Sequence, residues 1–93
     1  MFVSGAIHGD EVIGTEIIRR LLRLPALDRM AGTLLAVPIV NAFGFLGGSR
    51  HLPDRRDLNR SFPGSARGSL AARLAFAFRT EILARAEIGI DLH

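Results

Sequence analysis

The sequence contains no cysteine, tryptophan or tyrosine, and its twelve basic residues are all arginines. Without cysteine the chain can form neither disulfide bonds nor thiolate metal sites, and a cytoplasmic location is the expected one. No apolar run approaches the roughly 18 residues that a membrane-spanning helix needs. The first residues also have no basic segment followed by a cleavage site. We therefore expect neither a membrane protein nor a signal peptide.

The arginines give the chain a net charge of +3, which makes nucleic-acid binding one function to consider. They do not form one block, however, because they are divided between predicted helices and a loop. The six phenylalanines are not interleaved with them either. We therefore interpret the arginines on the predicted helices as part of solvent-exposed helix faces, and we expect no nucleic-acid partner. A nucleic-acid-binding module stays an alternative.

A chain of 93 residues forms at most one small domain, and an apolar content of 48% is enough for a core. In chain order, the pattern predicts a strand at 2–7, a helix at 12–24, a strand at 33–40, a long loop at 42–68, a helix at 70–86 and a strand at 88–92. Asp10 and Ser69 are expected to cap the two helices, and Pro25 to end the first. A loop this long is commonly functional or disordered. The alternation of strands and helices along the chain predicts an α/β fold with a partial, mostly parallel sheet and flanking helices.

Three polar residues, His8, Asn41 and His93, directly follow predicted strands. They are expected at one edge of the sheet, because sites in α/β proteins form where parallel strands end. His8 and Glu11 also lie three residues apart at a strand-to-helix junction. With His93 they would make a His₂Glu set, which is one of the known ligand sets of catalytic zinc. A helix-terminus pair plus an incidental histidine is an equally favoured interpretation of these residues alone.

The second informative stretch is Asp57-Leu58-Asn59-Arg60. Arginine can bind a carboxylate through two parallel hydrogen bonds, and an adjacent asparagine can add a donor. On its own, the stretch is more typical of an Asx turn with an exposed arginine. Arg50 is a candidate for polarising a substrate carbonyl, although surface charge is favoured for it without further context. A turn is predicted at 61–64.

Three segments of the chain together resemble one known family. They are Ala6-Ile7-His8-Gly9-Asp10-Glu11, then Arg50 followed by Asp57-Leu58-Asn59-Arg60-Ser61-Phe62-Pro63-Gly64, and finally Ile90-Asp91-Leu92-His93. In this order, and with similar spacing over nearly the whole chain, they look like the succinylglutamate desuccinylase/aspartoacylase family. That family is related to the zinc carboxypeptidases. The pairing of H-G-D-E with D-L-N-R-x-F-P-G is specific.

The resemblance implies a zinc carboxypeptidase-like fold with one zinc ion per chain, held by His8, Glu11 and His93. It also implies that Asn59 and Arg60 hold the substrate carboxylate, and that Arg50 helps to polarise the scissile carbonyl. The implied reaction is hydrolysis, by zinc-activated water, of the amide bond of an N-acyl amino acid or a related small substrate. A carboxypeptidase-like peptidase is the near alternative because it would share the metal and the carboxylate clamp. A non-catalytic zinc-binding module is another.

The chain also departs from that family. The family's general base is a glutamate on a strand well after the third zinc ligand, whereas this sequence stops at His93. Glu16, Glu81 and Glu87 lie on or beside predicted helices without the matching context, so none is assigned that role. The family's C-terminal β-rich region is missing as well. We therefore expect residues 1–93 to be an N-terminal fragment of the catalytic domain that binds zinc and is nearly inactive alone.

Overall fold

Three short parallel strands form the sheet of the computed structural model, which describes residues 1–93. The strands are β1, Phe2–Gly5; β2, Leu35–Val37; and β3, Gly89–Leu92. β1 lies between the other two, with Val3 opposite Ala36 on one side and Ile90 on the other. The predicted α/β fold with a parallel sheet is confirmed, although each strand is shorter than the sequence predicted.

Three α-helices and three short 3₁₀ helices make up the rest of the regular structure. The α-helices are α1, Ile13–Leu21; α2, Ala42–Gly47; and α3, Leu70–Glu81. The 3₁₀ helices are Pro25–Arg29, Leu58–Arg60 and Leu83–Arg85. No helix has the length and the apolar content that crossing a membrane would require.

The start of α1 differs from the prediction. The helix begins at Ile13, and the residue at its cap position is Val12, which makes no side-chain cap hydrogen bond. The backbone N–H of Glu11 donates to the carbonyl of His8 at 3.1 Å, which closes a turn before the helix. Asp10 lies inside that turn, so the predicted cap by Asp10 is wrong.

The end of α1 also comes early, at Leu21. Pro25 disfavours a helical conformation in the residue before it, and Leu24 is accordingly extended, with φ −73° and ψ 125°. Along its length, α1 lies very close to β3, because a Cβ on Gly14 would be 2.5 Å from the carbonyl oxygen of Leu92. A glycine is therefore needed where the helix crosses the strand.

Glu16 on α1 accepts hydrogen bonds from Arg19 and Arg20, which lower its pKa from 4.5 to about 2. A carboxyl whose pKa is lowered by folding contributes stability above its unfolded pKa and loses that contribution as the pH falls through the folded value. We expect Glu16→Gln to be less stable than the native chain at about pH 5, and we expect this difference to shrink as the pH falls to about 2 and below. Thermal unfolding followed by circular dichroism would measure this, and a difference that stays constant over the range would contradict it.

The predicted long loop at 42–68 is wrong as a single irregular segment, because it contains α2 and a 3₁₀ turn. Asn41 caps α2, since its side-chain oxygen accepts a hydrogen bond from the N–H of Gly44 at 2.9 Å. Further along, the Asp54 carboxylate accepts a hydrogen bond from the N–H of Ala71 at 2.9 Å, which joins the segment to the start of α3. The segment is therefore held to neighbouring structure at its start and near its middle.

The hydrophobic core lies between this segment, α3 and the end of β1. Its buried residues are Ile7, Val40, Leu52, Leu58, Ala71, Ala75 and Phe78. The predicted cap of α3 is confirmed, because Ser69 Oγ accepts a hydrogen bond from the N–H of Ala72 at 3.2 Å. The helix ends at Glu81 rather than near residue 86, and the last predicted turn is a separate 3₁₀ helix.

Candidate metal centre

His8 and His93 lie side by side at the carboxyl end of the sheet. His8 follows β1 and His93 follows β3, and these two strands are neighbours. The ring centroids are 4.9 Å apart and the ring planes meet at 81°. His8 is buried, whereas the His93 side chain is 45% exposed. The strand ends therefore place the two imidazoles together, with one of them accessible from solvent. Asn41, the third polar residue at this edge, is buried and caps α2.

The loop that carries His8 packs directly against α2. A Cβ on Gly9 would be 2.0 Å from the carbonyl carbon of Gly44, so this approach requires glycine. Just before it, Ala6 has a φ of 51°, in the left-handed region that residues other than glycine rarely adopt. The chain therefore turns sharply as it leaves β1, and the turn buries the His8 side chain.

The imidazole of His8 has a carboxylate at each nitrogen. Nδ1 lies 3.1 Å from Glu11 Oε1, and Nε2 lies 3.0 Å from Asp57 Oδ1. A neutral imidazole carries only one N–H. If Nε2–H donates to Asp57, the lone pair of Nδ1 faces an oxygen of Glu11, and the two repel each other unless a cation lies between them. A proton or a metal ion would meet that requirement.

The residues around Glu11 fit a divalent metal ion. His8, Glu11 and His93 each offer one ligand atom, and these atoms all lie within 4.8 Å of one another. The 3.1 Å between His8 Nδ1 and Glu11 Oε1 is near the roughly 3.3 Å that separates two ligands of a tetrahedral zinc ion. In addition, Glu11 Oε2 is buried and has no hydrogen-bond partner. A metal ion would satisfy that oxygen, and two imidazoles with one carboxylate are a set that suits zinc.

Asp57 connects the parts of the site and has a role that the sequence did not indicate. Its carboxylate accepts hydrogen bonds from His8 Nε2 at 3.0 Å, Arg50 Nη2 at 3.2 Å and the N–H of Asn59 at 2.9 Å. Burial acts to raise the pKa of Asp57, but these partners outweigh it and hold that pKa below its usual value. The only guide to such a residue was a general one: a histidine that binds a metal usually donates its other N–H to a carboxylate or a carbonyl.

Arg50 lies against the same two acidic residues. Its Nη2 is 3.2 Å from Asp57 Oδ2, and its Nη1 is 3.5 Å from Glu11 Oε1. The side chain is 44% exposed, so the guanidinium lies at the boundary between the site and solvent. The structure therefore brings Arg50 to the candidate ligands, and the alternative of an isolated surface charge does not describe its position.

Asn59 and Arg60 follow Asp57 on a 3₁₀ turn. The N–H of Asn59 donates to the Asp57 side chain, which is the Asx turn expected for this stretch. The Arg60 side chain is 85% exposed, and its Nε is 4.0 Å from Asp57 Oδ2. The two predicted substrate-binding residues are thus next to the site, and the Arg60 guanidinium is open to a ligand. The turn predicted at 61–64 is present as well.

A cavity of about 400 Å³ opens beside the candidate ligands. It is lined by Asp10, Glu11, Val12, Ile13 and His93. This volume is in the range of small-molecule sites. Of the glutamates that had no predicted role, Glu16 pairs with Arg19 on α1, and Glu81 pairs with Arg85 on the 3₁₀ helix that follows α3. The third, Glu87, lines a separate cavity with Met1.

Comparison with known proteins shows the family. The model of the succinylglutamate desuccinylase/aspartoacylase catalytic domain matches residues 1–93. The chain is 32% identical, over 92 residues, to the N-alpha-acetyl-L-2,4-diaminobutyric acid deacetylase of Halomonas elongata, covering 98% of this chain and 27% of that protein. The chain therefore belongs to the succinylglutamate desuccinylase/aspartoacylase family, as its motifs predicted.

Solved structures confirm the zinc carboxypeptidase-like fold that the resemblance implied. The product-bound ectoine utilization protein EutE (DoeB) from Ruegeria pomeroyi matches with a TM-score of 0.88 and 36% identity over 99% of this chain. A succinylglutamate desuccinylase/aspartoacylase from Rhodobacter sphaeroides matches with a TM-score of 0.90 and 35% identity over 99% of this chain. The chain covers 28% of each of those chains. The relatives are deacylating hydrolases, and the chain spans less than a third of their length.

Proposed function

We propose that the protein is a zinc-dependent deacylase that hydrolyses the amide bond of N-acyl amino acids or related small substrates. The observation that supports this most is the convergence of His8, Glu11 and His93, with a buried Glu11 oxygen that has no partner in the protein. The chemistry expected from a zinc ion bound there is polarisation of a carbonyl and activation of a water molecule. The deacylases among its relatives support the same class of reaction.

The protein residues would orient the substrate on two sides of this centre. Arg50 has one firm contact, with Asp57, and one long contact, with Glu11 at 3.5 Å. The N–H groups on its Glu11 side are therefore the ones that can turn to a substrate carbonyl while Asp57 keeps the guanidinium in place. For Arg50, exchanging its contact with the Glu11 carboxylate for a contact with a substrate carbonyl becomes favourable when a cation neutralises the charge of Glu11.

Asn59 and Arg60 would hold the substrate carboxylate. The Arg60 guanidinium is exposed and lies no closer than 4.0 Å to Asp57, so its donors are available for two parallel hydrogen bonds. Asn59 is exposed beside Arg60, and its backbone N–H is held on the Asp57 side chain. A free carboxylate on the substrate is thus expected to decide binding, and this selects small acidic amides over peptides without a nearby terminus.

The test is hydrolysis by the full-length gene product of N-acetyl and N-succinyl amino acids, measured by release of the free amine. Hydrolysis should stop after chelation, return with zinc, and fail when the substrate carboxylate is replaced by an amide. Hydrolysis that persists after chelation would contradict the proposal. Preferential cleavage of peptides at their C-terminal residue would instead assign a carboxypeptidase-like activity.

Replacing Arg60 should mainly weaken substrate binding. We expect Arg60→Ala to raise KM about 10- to 100-fold with a smaller change in kcat, because a charge-assisted pair of hydrogen bonds to the carboxylate is lost. Arg73→Ala, an exposed arginine on α3, is the matched control and should leave both constants unchanged. An equal KM for the two variants would exclude Arg60 from carboxylate binding.

A further inference from the structure

The two arginines of the candidate site and the cavity beside it lie on different sides of His8. Nε2 of His8 faces Asp57, and Nδ1 faces Glu11. Arg60 lies against Asp57, and Arg50 makes its shorter contact with the same carboxylate. The cavity of about 400 Å³ has Glu11 in its wall and no arginine. The cavity is therefore a second approach to the centre, opposite the basic side chains.

Asp10 gives the wall of this cavity its free charge. It is exposed, and its carboxylate takes part in none of the side-chain hydrogen bonds or ion pairs of the chain. Glu11, the other carboxylate of the wall, contacts His8 instead. The first residue of α1, Ile13, also lines the cavity. The positive end of a helix dipole amounts to only about half a charge, so the full charge of Asp10 outweighs it.

The chemistry of the substrate decides which of its groups reaches the cavity. In an N-acyl amino acid, the carboxylate and the acyl chain lie on opposite sides of the scissile amide. When Asn59 and Arg60 hold the carboxylate beside Asp57, the acyl chain extends past the centre, away from Asp57. The space on that side is the cavity that contains Asp10.

We propose that this cavity receives the acyl group of the substrate, and that Asp10 is a specificity-determining residue that selects uncharged acyl groups. The inference rests on the proposed deacylase function. An acetyl group meets only the apolar side chains of Val12 and Ile13 and the edge of the centre. A succinyl group ends in a carboxylate, which would face Asp10 with no basic residue in the wall to pair with it.

The test compares acyl groups of equal length on one amino acid. Butyryl and succinyl groups each have four carbons, and only the succinyl group ends in a charge. For the full-length gene product, we expect kcat/KM to be about 3- to 30-fold higher for the N-butyryl than for the N-succinyl derivative, because like charges repel at short range. This preference should shrink as salt is raised from about 0.05 to 0.5 M, since salt screens exposed charges.

Asp10→Asn should bring the ratio of the two kcat/KM values close to one. Asp28→Asn, which removes an exposed carboxylate from the 3₁₀ helix at Pro25–Arg29, is the matched control and should keep the native ratio. A native enzyme that prefers the succinyl derivative would overturn the inference even if Asp10→Asn failed to fold. A native ratio in folded Asp10→Asn would overturn it too, with the proposed function intact. If the native enzyme hydrolyses neither of these derivatives nor the N-acetyl one, both proposals are wrong.

Discussion

His8→Ala is expected to abolish stoichiometric zinc binding. The imidazole is buried and lies between Glu11 and Asp57, with its two nitrogens at 3.1 and 3.0 Å from their oxygens. Its removal takes away one of the three proposed ligands and leaves a second, Glu11, without the imidazole that contacts it. Structural zinc ions bind to zinc-finger peptides with apparent free energies of roughly 10–16 kcal/mol, and by that scale the loss of one ligand in three should weaken binding by about 10³-fold or more.

Metal analysis after dialysis measures this effect directly. His51→Ala is the matched control, because His51 is exposed and lies in the same segment as Arg50 without contacting the candidate ligands. The native protein and His51→Ala should each retain about one zinc ion per chain, and His8→Ala should retain almost none. Equal zinc content in all three proteins would exclude His8 as a ligand.

Asp57→Ala is expected to have the second-largest effect, on both stability and metal affinity. It removes the acceptor of His8 Nε2, Arg50 Nη2 and the Asn59 N–H at once. Leaving such donors without partners should lower the free energy of unfolding by about 1–3 kcal/mol. The loss of the partner of His8 should also lower zinc affinity 10- to 100-fold.

The two effects of Asp57→Ala can be separated. Urea unfolding of the metal-free protein measures the stability term, and chelator competition measures the affinity term. Asp54→Ala is a useful comparison, because Asp54 accepts a hydrogen bond from the start of α3 but does not contact the candidate ligands. Asp54→Ala should lower stability and leave zinc affinity unchanged. A parallel loss of affinity in both variants would mean that Asp57 acts only through the fold.

The fold could be predicted from local patterns because alternating strands and helices admit few arrangements. Apolar strands joined through helices indicated a parallel sheet, and that in turn placed His8 and His93 at one edge. The helix at 42–47 escaped prediction for a physical reason. Gly44 and Gly47 lower its helix propensity, and the cap by Asn41 and close packing against Gly9 compensate only in the folded state.

The candidate site could be predicted only in part. The residues of the two strand ends were identified from their position, and Arg50, Asn59 and Arg60 through family resemblance. The hydrogen bond between Asp57 and His8 could not be predicted, because the two residues are distant in sequence. They meet only in the folded chain, where Leu58, the residue after Asp57, is buried in the core. The hydrogen bond from Ser4 to Asp91 likewise depends on the register of β3 against β1, which no local pattern specifies.

The most direct test of the metal centre is X-ray absorption spectroscopy at the zinc edge on the zinc-loaded protein. We expect a first shell of nitrogen and oxygen at about 2.0–2.2 Å, with scattering from two imidazole rings. His8→Ala and His93→Ala should each lose the contribution of one ring or fail to retain zinc. A shell without imidazole, or a spectrum that neither substitution changes, would contradict the assignment of His8, Glu11 and His93 as the ligands.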